Sequence, residues 1–280
     1  MSADELVLKR LSAQQLDALI DAQNEIFADY IIPIRSSREF FAEFMRSVGG
    51  KLEDIIVALS GDEIVGYVNP VVDGTEAWIG GLGVVPRMRN QGVGAKLMAA
   101  AETYAGEEGA DEVLLEVIEG NLAAEKLYER LGYIPRVTYL SAEGNATQFA
   151  GFGQPPRRSH MEDIVALHER SYAGTCWQRR KRFALEESAR TCEIYRNDEG
   201  FVLLRRVAGT GFIPFLGVDP EHRRKGVGTC LAKFAVNRLW ELGTFKIAVY
   251  NIDDNDANRR MLDLFDFAVT LKQTEMRKRL

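Results

Sequence analysis

The stretch Val84-Val85-Pro86-Arg87-Met88-Arg89-Asn90-Gln91-Gly92-Val93-Gly94-Ala95-Lys96-Leu97-Met98 decides the fold of this chain. The apolar run 82–85 before it is typical of a β-strand, which Pro86 ends because proline cannot donate to a strand ladder. Beyond Gly94, apolar residues recur at helical spacing as far as Ala105. A strand, a glycine loop and a helix therefore follow one another directly.

Gly92 and Gly94 are predicted to lie at the N-terminus of that helix. The first N–H groups of a helix have no partner within the helix, and the helix dipole adds roughly half a positive charge there. Because glycine has no side chain, an anion can approach the backbone closely, and Arg87 and Arg89 add positive charge. The pattern indicates a cradle for a phosphate group.

The same pattern returns in the stretch Val218-Asp219-Pro220-Glu221-His222-Arg223-Arg224-Lys225-Gly226-Val227-Gly228-Thr229. Gly226 lies 134 residues after Gly92, and Gly228 lies 134 residues after Gly94. One such match is common by chance. Two matches in register, each between a strand and an amphipathic helix, indicate an internal repeat.

Length and composition limit the class of protein. A chain of 280 residues predicts about two domains, and an apolar content of 46% is ordinary for globular protein. The net charge of −6 argues against nucleic acid as a partner. Three cysteines without a CxxC motif predict reduced thiols in a cytoplasmic protein, and no spacing typical of a metal site occurs. No signal peptide or membrane span is predicted.

The two halves are predicted to be separate domains, 1–145 and 154–280. Residues 141–156 are polar and rich in glycine and proline, which predicts a linker. Each half has the pattern strand, helix, helix, hairpin, long strand, glycine loop, helix, strand, helix, strand. The fronts of the halves match at an offset of 147 residues, so the second half is 13 residues shorter before its glycine loop. We expect the loss in the region equivalent to 31–51.

This order of elements resembles the GNAT superfamily of acyl-CoA-dependent N-acyltransferases, whose motifs are [RQ]-x-x-G-x-[GA] after a strand and N-x-x-A-x-x-L-Y-x-x-x-G-[FY]. The first half carries the first motif as 89–94 and the second as 121–133, with every signature residue in place. Tandem members of the superfamily are known. The resemblance implies an α+β fold with α/β/α layers and a mixed, mostly antiparallel sheet, in two tandem GNAT domains.

The resemblance also implies acetyl-CoA as the cofactor. Its pyrophosphate would lie on the glycine loop, and its pantetheine arm would run beside the preceding strand. The implied cofactor-binding residues are Leu82, Gly83, Val84, Val85, Arg89, Asn90, Gln91, Gly92, Val93, Gly94, Ala95, Asn121 and Tyr128 in the first half, and Val218, Arg223, Arg224, Lys225, Gly226, Val227, Gly228, Thr229 and Asn255 in the second.

The implied reaction is direct attack of a primary amine, from a small molecule or a peptide, on the thioester through a tetrahedral intermediate. A main-chain N–H near Val84 would polarise the carbonyl, and Tyr128 would protonate the leaving sulfur. Glu116 is the candidate general base, with Glu76 behind it. Other interpretations stay open: Tyr128 fits a core position, Asn121 fits a helix N-cap and Glu116 fits a strand surface.

The sequence gives fewer indications of where the amine acceptor would bind. Tyr30 and the aromatic set Phe40, Phe41 and Phe44 are candidates for its walls, although the phenylalanines also fit the core face of a helix. The sequence predicts no particular amine and no oligomeric state.

The second half departs from the pattern, because Leu262 replaces the tyrosine and Asp266 replaces the glycine. Leucine cannot donate a proton. Three interpretations remain: a non-catalytic coenzyme binder, a scaffold for the first site, or a second active site that uses another acid. For the whole chain, the alternative function is a CoA-binding regulatory or interaction protein without catalysis. A nucleotide-binding module is disfavoured because neither a Walker A lysine nor a GxGxxG motif is present.

Overall fold

The computed structural model describes residues 6–32, 34–151 and 154–280, and the chain divides into two compact units. The first unit comprises Met1–Arg136 and Thr274–Leu280, and the second comprises Val137–Gln273. The sequence predicted domains 1–145 and 154–280. The two divisions differ at 137–145 and 274–280, because each of these segments belongs to the unit formed mainly by the other half of the sequence.

The described residues of the first half contribute five strands and four α-helices to the first unit. In chain order they are β1 (Val7–Arg10), α1 (Leu16–Ile26), α2 (Arg38–Val48), β2 (Ile56–Ser60), β3 (Glu63–Asp73), β4 (Glu76–Val84), α3 (Val93–Glu107), β5 (Glu112–Ile118) and α4 (Leu122–Arg130).

The helices of the first unit begin and end where the sequence provides the caps. The Ser37 hydroxyl accepts a hydrogen bond from the Phe40 N–H at 3.2 Å, and Gly49 ends α2 in the left-handed region. The Asn121 side chain caps α4 through the Ala124 N–H. These local signals account for the second and fourth helices of the order of elements predicted for the first half.

The strands of the first unit are antiparallel neighbours in the order β1-β2-β3-β4, and β5 then pairs with β4 in parallel. Residues 274–279 of the last strand of the chain lie next to β5, and the Leu280 N–H donates to the Asp111 carbonyl at 3.0 Å. Helices α1 and α3 pack on β3 and β4. Their apolar faces and the sheet enclose one continuous core, which includes Met276.

The second unit repeats this plan with a shorter front. Its elements are β6 (Ile134–Asn145, from residue 137), β7 (Arg157–Arg158), α5 (Val165–Ser171), α6 (Trp177–Arg180), α7 (Arg182–Ala189), β8 (Glu193–Arg196), β9 (Gly200–Val207), β10 (Thr210–Val218), α8 (Val227–Glu241), β11 (Lys246–Asp253), α9 (Asp256–Leu264) and β12 (Ala268–Arg279, to residue 273).

Its strands follow the order β7-β8-β9-β10-β11-β6-β12, and the pairs from β7 to β6 are antiparallel except for the parallel pair β10 and β11. One core lies against α8 and α9, and a second one lies against α5 and α7. The short helices α6 and α7 stand where the first unit has α2. The prediction of an α+β fold with a mixed, mostly antiparallel sheet is confirmed. No helix in the described residues is long and apolar enough to cross a bilayer.

Candidate functional site

A gap opens in the middle of the first unit's sheet. Strands β4 and β5 pair only from Glu76↔Glu112 to Trp78↔Leu114 and then separate. The Val85 N–H donates to the Val65 carbonyl of β3 at 3.0 Å. Since neighbouring residues of a strand point their polar groups to opposite edges, Val84 and Leu82 point theirs into the gap. An extended ligand with amide groups can pair with that edge.

A bulge in β4 lies beside the gap. Gly80 and Gly81 both stand opposite Asn69, because Val68 pairs with Leu82 and Pro70 with Ile79. A Cβ on Gly80 would meet the Trp78 indole at 2.5 Å, and one on Gly81 would meet the Tyr67 hydroxyl at 3.0 Å. Glycine is therefore required by packing here, and the bulge bends β4 away from β5.

The glycine loop leads from β4 into α3. Asn90 has a φ of 61° and Gly92 a φ of 79°, so both lie in the left-handed region. Gly92 is the N-cap of α3, no side chain caps it, and no atom lies within 4 Å of where its Cβ would be. The N–H groups of 93–95 precede the first i→i−4 bond of the helix, which runs from the Lys96 N–H to the Gly92 carbonyl at 3.0 Å. The predicted anion cradle is built of main-chain donors.

The two arginines of the loop are placed differently from what the sequence predicted. The Arg89 guanidinium donates to the carbonyls of Val84 and Ile26 at 3.1 and 2.9 Å, and it forms two hydrogen bonds with Asp29 at 2.7 and 2.9 Å. This hydrogen bonding lowers the pKa of Asp29. Arg87 pairs with Glu25 and Glu63. Carboxylates therefore neutralise both charges, and Arg89 fastens the loop to the end of α1.

Replacing Arg89 with lysine is expected to weaken binding at the loop although the charge is kept. A lysine ammonium cannot reproduce the forked contacts to two carbonyls and a carboxylate. The loss of one or two charged hydrogen bonds, about 2 kcal/mol, corresponds to a KM for acetyl-CoA roughly 30-fold higher. Steady-state kinetics at fixed amine checks this. An Arg87→Lys control should change the KM less than about threefold, since both of its partners are surface carboxylates; equal effects would contradict the role of Arg89.

Tyr128, the proposed acid, lies on the inner face of α4. Its side chain is 7% exposed, and its ring centroid is 5.9 Å from that of Tyr133. Burial raises the pKa of Tyr128 above its ordinary value, which makes its hydroxyl a weaker acid than that of an exposed tyrosine. Among the described residues, no hydrogen-bond partner is found for this hydroxyl. The observed burial agrees with the core interpretation of Tyr128, and its role as proton donor stays a prediction.

Asn121 and Tyr30 meet at the start of α4. The Asn121 carbonyl oxygen accepts from the Ala124 N–H at 3.3 Å, and its amide group lies 3.5 Å from the Tyr30 hydroxyl. The N-cap interpretation of Asn121 thus describes its observed contact. Tyr30 also packs edge-on against Phe27 at 5.2 Å. The segment after α1 therefore reaches α4 through this pair.

Glu116, the candidate base, lies on β5 just beyond the last paired residue, Leu114. Its carboxylate accepts a hydrogen bond from the Trp78 indole N–H at 2.7 Å. Glu76 lies at the opposite, closed end, where β4 and β5 are paired. Of the two carboxylates, only Glu116 is at the point where the strands separate.

The aromatic residues of α2 have separate roles. Phe41 is buried in the core, whereas Phe40 is 51% exposed. Phe44 lies 6.4 Å from Trp78 between ring centroids. Of the three, Phe44 is thus the one placed near the indole that holds Glu116.

The second unit reproduces the frame of the gap and the loop. Strands β10 and β11 pair only from Thr210↔Lys246 to Phe212↔Ala248. Arg224 and Gly226 have φ angles of 65° and 87°, which match those of Asn90 and Gly92. Arg223 donates to the carbonyls of Val218 and Ser171 at 3.3 and 2.8 Å, as Arg89 does in the first unit.

Leu262, Asp266 and Asn255 of the second unit occupy the positions of Tyr128, Gly132 and Asn121 in the first. Leu262 is buried in the core, and Asp266 takes the left-handed conformation that Gly132 has in the first unit. Asn255 caps α9, accepting from the Asn258 N–H at 2.9 Å. A cleft of about 680 Å³ lies between the loop and α9. It is lined by Val218, Arg223, Arg224, Gly226, Gly228, Thr229 and Asn255, among others.

Several residues at these sites could not be found from the sequence. Trp78 and Asn69 beside the first gap, and Tyr172, Arg179 and Ser171 beside the second, belong to no motif. Trp78 and Glu116 are 38 residues apart, and Tyr172 contacts a residue 44 positions away. The sequence offers one signal for Tyr172: an aromatic residue directly follows the first helix of each half, Phe27 after α1 and Tyr172 after α5.

Comparison with known proteins identifies the family. The acetyltransferase (GNAT) family model matches residues 16–133 and again 154–267. An uncharacterised N-acetyltransferase, YhfO of Bacillus subtilis, is 44% identical over 50 residues, which are 18% of this chain and 34% of that protein. The chain spans less than two thirds of the curated relatives it matches, 34% and 55% of their lengths.

Solved structures share the fold over the whole chain. A GCN5-related N-acetyltransferase from Sphaerobacter thermophilus has a TM-score of 0.74 at 16% identity, over 100% of this chain and 97% of that one. A tandem GNAT protein from the clavulanic acid biosynthesis pathway has a TM-score of 0.70 at 15% identity, over 98% of both chains. With two family matches in one chain, this protein belongs to the acetyltransferase (GNAT) family as a tandem, two-domain member.

Proposed function

We propose that the first unit is an acetyl-CoA-dependent N-acetyltransferase that acts on a primary amine of a small molecule or a peptide. One observation carries the proposal. The gap between β4 and β5 begins beyond Trp78 and Leu114, directly beside an uncapped helix N-terminus. A bound anion and an extended arm therefore have adjoining places in the same unit.

The residues present fit acetyl-CoA, which would supply the acyl group as an activated thioester. The N–H groups of 93–95 and the left-handed Gly92 can hold its diphosphate. The gap-facing N–H and C=O of Leu82 can pair with an amide of the arm, because no side chain in the described part of the chain bonds them. Arg89 keeps this edge in place through the Val84 carbonyl.

Three residues of the unit would then act on the reacting groups. The Val84 N–H can donate to an oxygen that gains negative charge in the gap. Tyr128 can give a proton to the leaving sulfur, because a tyrosine hydroxyl is protonated at neutral pH. Glu116, held by the Trp78 indole at the point of separation, can take the proton of the ammonium directly or through water.

The test is turnover with a panel of amines, followed by thioester cleavage and by the mass of the product. Replacing Tyr128 with phenylalanine should lower kcat about 100-fold, the usual contribution of a general acid, and leave the KM for acetyl-CoA within about threefold. Tyr133→Phe is the matched control, since its ring neighbours Tyr128 and lies against the Lys278 ammonium at 5.8 Å, and we expect its kcat to stay close to wild type.

The alternative is a CoA-binding regulatory or interaction protein without catalysis. A protein of this kind would use the same glycine loop and the same gap. Turnover with the panel of amines distinguishes it from an N-acetyltransferase. Binding of acetyl-CoA without transfer to any amine would favour the alternative. Turnover that is the same in Tyr128→Phe would instead remove Tyr128 from the mechanism and leave the transfer activity standing.

A further inference from the structure

A cavity lies in the second unit between the strands β10 and β11 and the helices α8 and α9. Its volume is about 120 Å³, and its lining is apolar except for Arg179 and Asn258. An engineered apolar cavity of about 150 Å³ in another protein binds benzene, which has six carbon atoms. The cavity of the second unit is therefore large enough for a small molecule with a short carbon chain.

Two residues of the lining are shorter than their counterparts in the first unit. Ala232 of α8 stands where α3 has Met98, and Leu262 of α9 stands where α4 has Tyr128. Met98 and Tyr128 are both buried, so each of these positions belongs to the core of its unit. A shorter side chain at a core position leaves room that the longer one would fill.

Arg179 brings a buried positive charge to this cavity. Its side chain is 7% exposed, and its guanidinium donates to the Tyr250 carbonyl of β11. The guanidinium also lies 3.4 Å from the Tyr172 hydroxyl, which accepts from the Leu216 N–H of β10 at 2.9 Å. The charge therefore lies between β10 and β11, and these contacts use two of the five N–H donors of an arginine.

No bonded carboxylate balances the charge of Arg179. Both of its hydrogen bonds go to neutral oxygens, and the rings of Tyr172 and Phe215 lie 5.4 and 5.7 Å from its guanidinium carbon. The charge of Asp253 acts on Arg179, but among the described residues no carboxylate forms an ion pair with it. A buried charge without an opposite charge is costly, and a bound anion would reduce that cost.

The position of Arg179 is fixed from its main chain as well as from its side chain. The carbonyl of Arg179 lies 2.7 Å from Nε2 of His168, whose side chain is 1% exposed. Because Tyr250, Tyr172 and His168 all hold this residue, the guanidinium is already ordered before a ligand arrives. A preordered arginine loses little further freedom when it binds an anion.

We propose that the second unit binds a short-chain monocarboxylate of about four to six carbons, with the carboxylate on Arg179 and the alkyl chain in the cavity. The two oxygens of a carboxylate match the forked N–H donors of a guanidinium. An alkyl chain matches the apolar lining, and such a ligand needs neither the glycine loop nor a coenzyme. The site is independent of acetyl transfer by the first unit, because binding is measured without acetyl-CoA and without an amine acceptor.

The experiment is isothermal titration of the full chain with pentanoate, and with pentan-1-ol and pentan-1-amine as probes that share the chain but not the negative charge. We expect a dissociation constant below about 1 mM for pentanoate, and binding of the alcohol and the amine at least tenfold weaker. Acetate should also bind at least tenfold more weakly, because it has no chain to fill the cavity. Arg179→Gln should weaken the binding of pentanoate at least tenfold and leave the alcohol unchanged.

A second variant tests the cavity while Arg179 stays in place. Ala232→Met supplies the residue that the first unit has at the equivalent position, and it should weaken the binding of pentanoate at least tenfold without lowering the melting temperature. This variant decides the question even if Arg179→Gln does not fold. The proposal is overturned if pentanoate does not bind, if the alcohol or the amine binds equally well, or if Ala232→Met leaves the binding of pentanoate unchanged.

Discussion

Replacing Gly92 with aspartate is expected to raise the KM for acetyl-CoA about 100-fold while the protein stays folded. The new carboxylate would stand at the N-cap of α3, beside the uncapped main-chain donors and where no atom lies within 4 Å of a Cβ. Aspartate is a good N-cap for the helix itself, but it fills the anion cradle and repels a diphosphate. A loss of about 3 kcal/mol of binding corresponds to this change in KM. Kinetics with varied acetyl-CoA, beside a melting curve, checks it.

A control variant distinguishes the effect of backbone strain from the effect of a new charge at the N-terminus of α3. Gly61, in the turn between β2 and β3, has a φ of 61° and also has no atom within 4 Å of a Cβ. Gly61→Asp therefore places the same residue in the same backbone region, away from the site. We expect a small loss of stability and an unchanged KM. A KM that rises equally in both variants would mean that the N-terminus of α3 does not bind the coenzyme.

Removing residues 274–280 is expected to abolish activity of the first unit, although every motif residue remains. This segment lies next to β5, and its Met276 is 2% exposed in the core. Arg277 pairs with Glu112 at 3.0 Å and Lys278 with Glu102 at 2.6 Å. Losing a buried methionine alone costs about 2–5 kcal/mol, and the truncation also exposes the edge of β5. We expect the melting temperature of the first unit to fall by more than about 10 °C.

Two point variants locate the effect within the segment. Met276→Ala should account for a large part of the destabilisation, whereas Leu280→Ala should cost little, because Leu280 is 48% exposed and contributes its main chain. Hydrogen exchange of β5 amides reports the same loss locally. A truncated chain that melts like the full one would show that the first unit does not need this segment.

The local chemistry of the chain could be predicted from its sequence. Glycine loops at 92–94 and 226–228, the serine cap of α2 and the asparagine cap of α4 depend on neighbours within a few residues. The apolar run 82–85, predicted to be a strand before the first loop, ends within one residue of the observed strand Glu76–Val84. Such signals survive folding because the physics that creates them is local: a missing Cβ, a side-chain acceptor, an alternation of apolar residues.

Only the tertiary structure decided which groups these elements bring together. In the folded chain, the Arg89 guanidinium forms hydrogen bonds with Asp29 and two carbonyls, and the Trp78 indole donates to Glu116. The Tyr172 hydroxyl forms hydrogen bonds with the main chain of Leu216. The tertiary structure also gave residues 274–280 to the first unit, where the sequence expected the second domain. Apart from the contact of Arg89 with the Val84 carbonyl, these pairings join residues 38 to 63 positions apart, and many polar partners are chemically equivalent in a sequence. The choice among them depends on which strand edges and helix ends folding leaves unsatisfied.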